Sequence, residues 1–217
     1  MLSQILTFIG GVCWSCVYVD CIRTGFKQKT YCIPLFALGL NFAWELIYSV
    51  DALFVDAANL QCWVDLTWAA LDAAVVYTYF KYGRKYFPEK AKRYFIPFSI
   101  LVFAACFAIQ FAFYFTFGGN PGANFSSFAQ NTAMSILFLT TLFRRGGSQG
   151  QTMLIAVAKC IGTLAPALTG GLLGAFNVYI VLMGGVCFVF DVLYIVALYR
   201  IKKAEGACGG PFAIGAP

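Results

Sequence analysis

The sequence predicts an all-α, polytopic membrane protein of seven transmembrane helices, with its N-terminus outside and its C-terminus cytoplasmic. Three observations carry this expectation. Of the 217 residues 61% are hydrophobic and only 11% charged, where a soluble domain carries roughly 25% charge, and the mean hydropathy is +0.78. Apolar windows of about 20 residues, the length that crosses a bilayer, recur along the whole chain. The Lys and Arg residues gather in every second connection between those windows, as they do when alternate loops face the cytoplasm.

The windows fall at residues 2–22, 31–54, 61–82, 94–117, 125–143, 151–173 and 176–199. The first is long and holds Asp20, with no basic segment before it, so it reads as a helix that stays rather than a cleaved leader. Arg23, Lys27 and Lys29 follow it. The second and third windows are joined through Asp51 and Asp56, with no Lys or Arg between them. Lys81, Arg84, Lys85, Lys90, Lys92 and Arg93 follow the third. The run Gly118-Gly-Asn-Pro-Gly-Ala-Asn124 between the fourth and fifth reads as a turn. Its last residue opens a glycosylation sequon, Asn124-Phe-Ser126, which fits an endoplasmic reticulum protein. Arg144 and Arg145 follow the fifth window; Arg200, Lys202 and Lys203 follow the seventh. Fourteen of the 15 basic residues thus lie on one side, and Lys159, inside the sixth window, is the exception. Adding or removing one span breaks this alternation. Residues 1–205 form a single seven-helix domain in this reading, and 206–217, rich in Gly, Ala and Pro, form a flexible tail.

The net charge of +6 then reflects topology and anionic headgroups rather than nucleic acid. The absence of His excludes imidazole bases, His-ligated metal and His-bound haem. Cys13-Trp-Ser-Cys16 has redox-motif spacing, but thiols inside an apolar helix are small packing residues.

Ionisable groups inside a span are costly and mark function by default. Asn41, Glu45 and Tyr48 share one face of the second helix at i, i+4, i+7. Asp65, Trp68 and Asp72 share a face of the third at i, i+3, i+7, and Cys187, Asp191 and Tyr194 share one of the seventh at i, i+4, i+7. Asp20 is expected to pair with Arg23, and Asp72 with Lys159, since each would otherwise be an isolated buried charge. Glu45 and Asp191 have no basic residue within reach in their own helices. A carboxyl in low-dielectric surroundings favours its neutral form and is then a competent acid. Aromatic faces stabilise cations without attacking them, and Trp44, Tyr48, Trp63, Trp68, Tyr77, Phe190 and Tyr194 are candidates to line such a chamber. A neutral acid among aromatics suits protonation of an epoxide or olefin, with a carbocation then travelling along an isoprenoid chain. Counted along straight helices, Glu45 and Asp191 differ in depth by about 9 Å, which argues against direct contact between them.

Asn41-Phe-Ala-Trp44-Glu45-Leu-Ile-Tyr48 resembles the Asn-x-Ala-Trp-Glu-x-x-Tyr signature of the small transmembrane terpene cyclases of fungal meroterpenoid and indole-diterpene pathways. Phe190-Asp191-Val-Leu-Tyr194 matches the acidic residue of that family's last span, and size and span number agree over nearly the whole chain. The resemblance implies that Glu45 protonates a terminal epoxide, or an olefin, of a prenylated aromatic substrate, with Asp191 as co-acid, hydrogen-bond partner or proton relay. It implies that no metal or nucleotide cofactor takes part; Asn41, Trp44, Tyr48 and Asp72, with the other aromatics, are the candidate substrate contacts. No DDxxD, DxDD or Walker motif is present. It also implies a fungal source and an endoplasmic reticulum membrane, or the cytoplasmic membrane of a bacterium.

Two other readings compete. A proton-coupled transporter or sorting receptor of seven helices would also hold intramembrane carboxyls. Paired proline-broken repeats, common in transporters, are not evident in Pro34, Pro97 and Pro166. A retinal protein needs a Schiff-base Lys in the last helix, where none precedes Arg200.

Overall fold

The computed structural model describes residues 1–55 and 60–207. Asp56 and the tail beyond 207 lie outside the described residues. Among those described there are seven α-helices and no strand: α1 (Leu2–Gln28), α2 (Leu35–Val55), α3 (Leu60–Tyr82), α4 (Phe95–Phe117), α5 (Gly119–Arg145), α6 (Met153–Leu168) and α7 (Val178–Ala207). Five stretches are long and apolar enough to cross a membrane: α1, α2, α4 with the turn before it, α6 with its continuation, and α7. The other two, α3 and α5, are long enough but carry the polar residues that turn inward, Asp65 and Asp72 on one and Gln130 on the other.

Several boundaries differ from expectation. Helices α1 and α7 continue past their apolar windows to Gln28 and Ala207, because the Lys and Arg residues there are good helix formers. The expected turn at 118–124 is helical except at its first residue. Gly118, at φ +80°, reverses the chain alone, and Pro121 sits in the first turn of α5, where a missing N–H costs no intrahelical bond. The 83–94 connection forms two 3₁₀ segments, Gly83–Tyr86 and Glu89–Tyr94. The sixth span is an α-helix capped by the Thr152 hydroxyl, which accepts from Ile155 N–H at 3.1 Å, and it widens into a π-turn at Thr169–Leu173. Pro166 lies just before that change and removes a helical donor.

Helix α2 packs against α3, α4 and α5. Helix α1 lies against α3 and α6, and α7 closes the bundle between α5 and α6. Successive connections alternate between two ends. At one end Lys85 donates to Lys29 O (2.7 Å), Arg145 to Tyr31 O (3.1 Å), Gly150 N–H to Gln28 Oε1 (2.7 Å) and Ser148 N–H to Glu205 Oε1 (2.8 Å). At the other, Tyr114 donates to Asp51 (2.6 Å), Trp44 to Ala123 O (2.9 Å) and Tyr179 to Phe125 O (2.8 Å). Val17, Leu38, Val75, Phe138, Ile155 and Leu198 join one core between the helices. Much of the outer surface is apolar, with Phe8, Phe54, Phe115 and Leu182 exposed, as a lipid-facing wall requires.

Candidate active site

The i, i+4, i+7 face of α2 is buried as its spacing predicts: Asn41 and Tyr48 are 5% exposed and Glu45 1%. Glu45 Oε1 accepts from the Tyr18 hydroxyl and, at 3.0 Å, from Asn41 Nδ2. The same Nδ2 donates to Tyr18 Oη at 2.7 Å and to Asp72 Oδ2 at 3.0 Å. Asn41 is oriented from behind. Gln130 Nε2 donates to Asn41 Oδ1 (3.2 Å), and Gln110 Nε2 donates to Gln130 Oε1 (2.7 Å) and Leu40 O (3.2 Å). Three amides from α4, α5 and α2 therefore form a chain whose N–H ends all point toward the carboxyls. The second oxygens, Glu45 Oε2 and Asp72 Oδ1, are buried without a partner among the described residues.

Aromatic rings flank this cluster. Tyr18 lies between Trp14 and Trp68, with ring centroids 6.1 and 6.3 Å away, and Trp68 Nε1 donates to Ser15 Oγ at 3.1 Å. Trp14 closes on Gly162 of α6, where a Cβ would sit 3.1 Å from the indole. Trp44, Tyr48 and Tyr114 form a second group nearer the Asp51 end. Trp63 and Tyr77 are about half exposed, at 52% and 53%. Tyr77 packs with Phe26 and Lys81, away from the carboxyl cluster.

Asp191 occupies a different polar cluster. Its Oδ1 accepts from Lys159 Nζ at 2.7 Å, the two side chains being 1% and 0% exposed. Lys159 also donates to Ser135 Oγ at 2.6 Å. Among the described residues Asp191 Oδ2 and the Tyr194 hydroxyl have no partner, and the Tyr194 ring lies 5.5 Å from Phe138 in the core; Phe190 is half-buried. The expected Asp72–Lys159 pair is therefore corrected. Lys159 on α6 faces α5 and α7, whereas Asp72 on α3 faces α2 and is held by an amide. Among the described residues no hydrogen bond or ion pair joins Glu45 to Asp191, in keeping with the depth count. Asp20 lies 4.0 Å from Arg23, as expected, and also accepts from the Thr152 hydroxyl. The described cysteines are free thiols, Cys13 and Cys16 included.

Tyr18, Trp14, Gln110 and Ser135 went unnoticed in the sequence. One signal for Tyr18 was available: a tyrosine in mid-span must find a hydroxyl partner when buried, and it follows Trp14 by four residues.

Comparison with known proteins bears directly on this arrangement. The family model of Pyr4-like transmembrane terpene cyclases matches residues 1–204. The chain is similar to terpene cyclase ascF of Acremonium egyptiacum, 28% identical over 226 residues that cover 90% of this chain and 80% of the relative. It is 27% identical over 209 residues to terpene cyclase pyr4 of Aspergillus fumigatus, covering 90% and 85%, and 24% identical over 216 residues to terpene cyclase nodB of Hypoxylon pulicicidum, covering 94% and 88%. No solved structure matches the chain.

Proposed function

This chain belongs to the family of Pyr4-like transmembrane terpene cyclases, and we propose that Glu45 is the acid with which it opens a terminal epoxide, or protonates an olefin, of a prenylated aromatic in meroterpenoid or indole-terpenoid biosynthesis. The observation that carries this reading is the asymmetry of the Glu45 carboxyl. One oxygen is held by Tyr18 and Asn41, and the other is buried without a partner. The proton of the neutral acid then sits on Oε2, the free oxygen, ready for a substrate. When it leaves, Oε1 already has two donors in place for the carboxylate, with no reorganisation needed. The faces of Trp14, Tyr18 and Trp68 stabilise the cation that forms. Asp191 is engaged by Lys159, and its role is that of a hydrogen-bond partner rather than a second acid. The reaction is an isomerisation in which the final cation returns the proton.

The seven helices each cross the membrane, as one domain over residues 1–205, with the basic end cytoplasmic and the N-terminus lumenal; the membrane is that of the endoplasmic reticulum. A cleft of about 630 Å³ at the basic end, lined by Phe36, Tyr86, Phe98, Leu137 and Arg144 among others, is the entrance for a lipid-dissolved substrate. Phe36 precedes Glu45 by nine residues on α2, about 14 Å along the helix.

The test is incubation of membranes carrying the wild type or Glu45→Gln with epoxyfarnesyl- and epoxygeranylgeranyl-substituted aromatics and their olefin parents. A new product of unchanged mass from the wild type alone is expected. Equal conversion by Glu45→Gln removes Glu45 from the mechanism, and no conversion by either removes the cyclase reading.

A further inference from the structure

The sequence assigned Asp72 to a lysine that proves to be engaged elsewhere, which leaves a buried carboxyl without a purpose. It is fully buried. Its neighbour Glu45 is 1% exposed, and both accept from one nitrogen, Asn41 Nδ2, at 3.0 Å. The two carboxyls can therefore stand no farther apart than two hydrogen-bond lengths. Asn41 offers two hydrogens to three acceptors, since Tyr18 Oη also lies 2.7 Å from it. Among the described residues no cation contacts either carboxyl. An isolated buried charge is expensive, and the amide chain from Gln110 through Gln130 to Asn41 supplies only dipoles. The arrangement that leaves no uncompensated charge has both carboxyls neutral. Oε1 and Oδ2 act as acceptors, and Oε2 and Oδ1, the two oxygens without partners, carry the protons.

We propose that Asp72 is the second acid of this site: the pair enters each turnover with two protons, and the one remaining after Glu45 has protonated the substrate is shared between them, so that Asp72 sets the acid strength of Glu45. This inference rests on the reading of Glu45 given above and adds a partner to it. The balance is simple. The O–H bond at Glu45 Oε2 breaks, and an O–H bond forms on the epoxide oxygen, or a C–H bond on the olefin. The single negative charge left behind spreads over four carboxyl oxygens, with Tyr18 and Asn41 donating to it. The proton lost by the cyclised cation restores the pair. Asp72 acts through Glu45 and is a positioning residue in this scheme. The other titratable groups around the pair are Tyr18 and Cys21 on α1 and Asp65 on α3; α5 contributes the neutral Gln130.

The proposal is tested with the full chain in nanodiscs, using an epoxyfarnesyl aromatic and its olefin parent. An olefin is the weaker base and depends more on acid strength. Asp72→Asn keeps shape and a donor but cannot share a proton, so kcat should fall about tenfold or more on the epoxide and further on the olefin, with KM within about twofold of wild type. Asp72→Glu should restore both. Equal loss on the two substrates, or a change in KM alone, overturns the proposal, as does full activity of Asp72→Asn. Infrared spectroscopy of wild-type protein labelled with ¹³C-carboxyl aspartate needs neither a variant nor a substrate. A protonated-acid carbonyl band that moves with the label is expected, and its absence overturns the proposal even where Asp72→Asn fails to fold. Glu45→Gln serves as the control. If it alone abolishes turnover and the aspartic acid band is missing, the cyclase reading stands and this one fails.

Discussion

Lys159 and Asp191 form an ion pair sealed inside the bundle, Nζ to Oδ1 2.7 Å, with neither side chain more than 1% exposed. It joins α6 to α7, and Ser135 adds α5 to the same cation. The carboxyl that the family resemblance assigns to act with Glu45 is thus already neutralised, while among the described residues Glu45 and Asp72 accept from neutral donors. Two polar centres of the bundle thus differ: an ion pair joins α6 and α7, and on α2 and α3 two buried carboxyls share one amide donor.

Breaking the ion pair from one side should cost more than removing it whole. Lys159→Met leaves Asp191 as an uncompensated buried charge, a loss of about 3–5 kcal/mol. Lys159→Met with Asp191→Leu removes both charges and should recover most of that stability. Thermal unfolding of the three proteins in one detergent measures it. A double variant no more stable than the single one would show that the pair is not mutually compensating.

Tyr18→Phe removes one of the two donors to Glu45 Oε1 and leaves the ring between Trp14 and Trp68. A hydrogen bond to a charged group is worth about 1.5–3 kcal/mol. That corresponds to a fall in kcat of roughly ten- to hundredfold at unchanged folding. Steady-state kinetics beside size-exclusion profiles provide the check, and unaltered kcat would remove Tyr18 from acid stabilisation.

Much of this was legible in the sequence, for identifiable reasons. The order of the seven helices follows from hydropathy and from the alternating Lys and Arg. The shared face of Asn41, Glu45 and Tyr48 follows from helical spacing alone. Partner choice between helices does not. Asp72 and Lys159 were paired by need of charge, yet the angular positions of α3 and α6 send them to different neighbours. Tyr18, Gln110 and Ser135 lie on helices whose facing residues one-dimensional spacing cannot identify. The turn at 118–124 was misplaced because Gly, Pro and Asn mark helix starts as readily as loops.

Trp14 owes its position to Gly162, whose missing side chain leaves room for the indole. Gly162→Val adds a side chain 3.1 Å or less from that ring and forces it toward Tyr18. Overpacking of this kind costs about 1–3 kcal/mol. A lowered melting temperature, with altered product ratios if Trp14 lines the cation path, is the expected result. Gly162→Ala should be milder. An unchanged melting temperature in both would mean that α1 and α6 adjust freely.

The orientation of the bundle can be read with a protease that cuts only after Lys and Arg. Arg84, Lys85, Lys90 and Arg93 are exposed in the two 3₁₀ segments after α3, and the sequence places no Lys or Arg in the connections at the opposite end. Trypsin added to sealed microsomes meets only the cytoplasmic face. If the basic end is cytoplasmic, as positive charge in short loops dictates, the chain is cut without detergent at exposed Lys and Arg of that end, the connection between α3 and α4 among them. A chain that stays intact until detergent opens the vesicles has the reverse orientation. The cleft beside Arg144 would then face the lumen, and entry of substrate from the cytoplasmic side would be excluded.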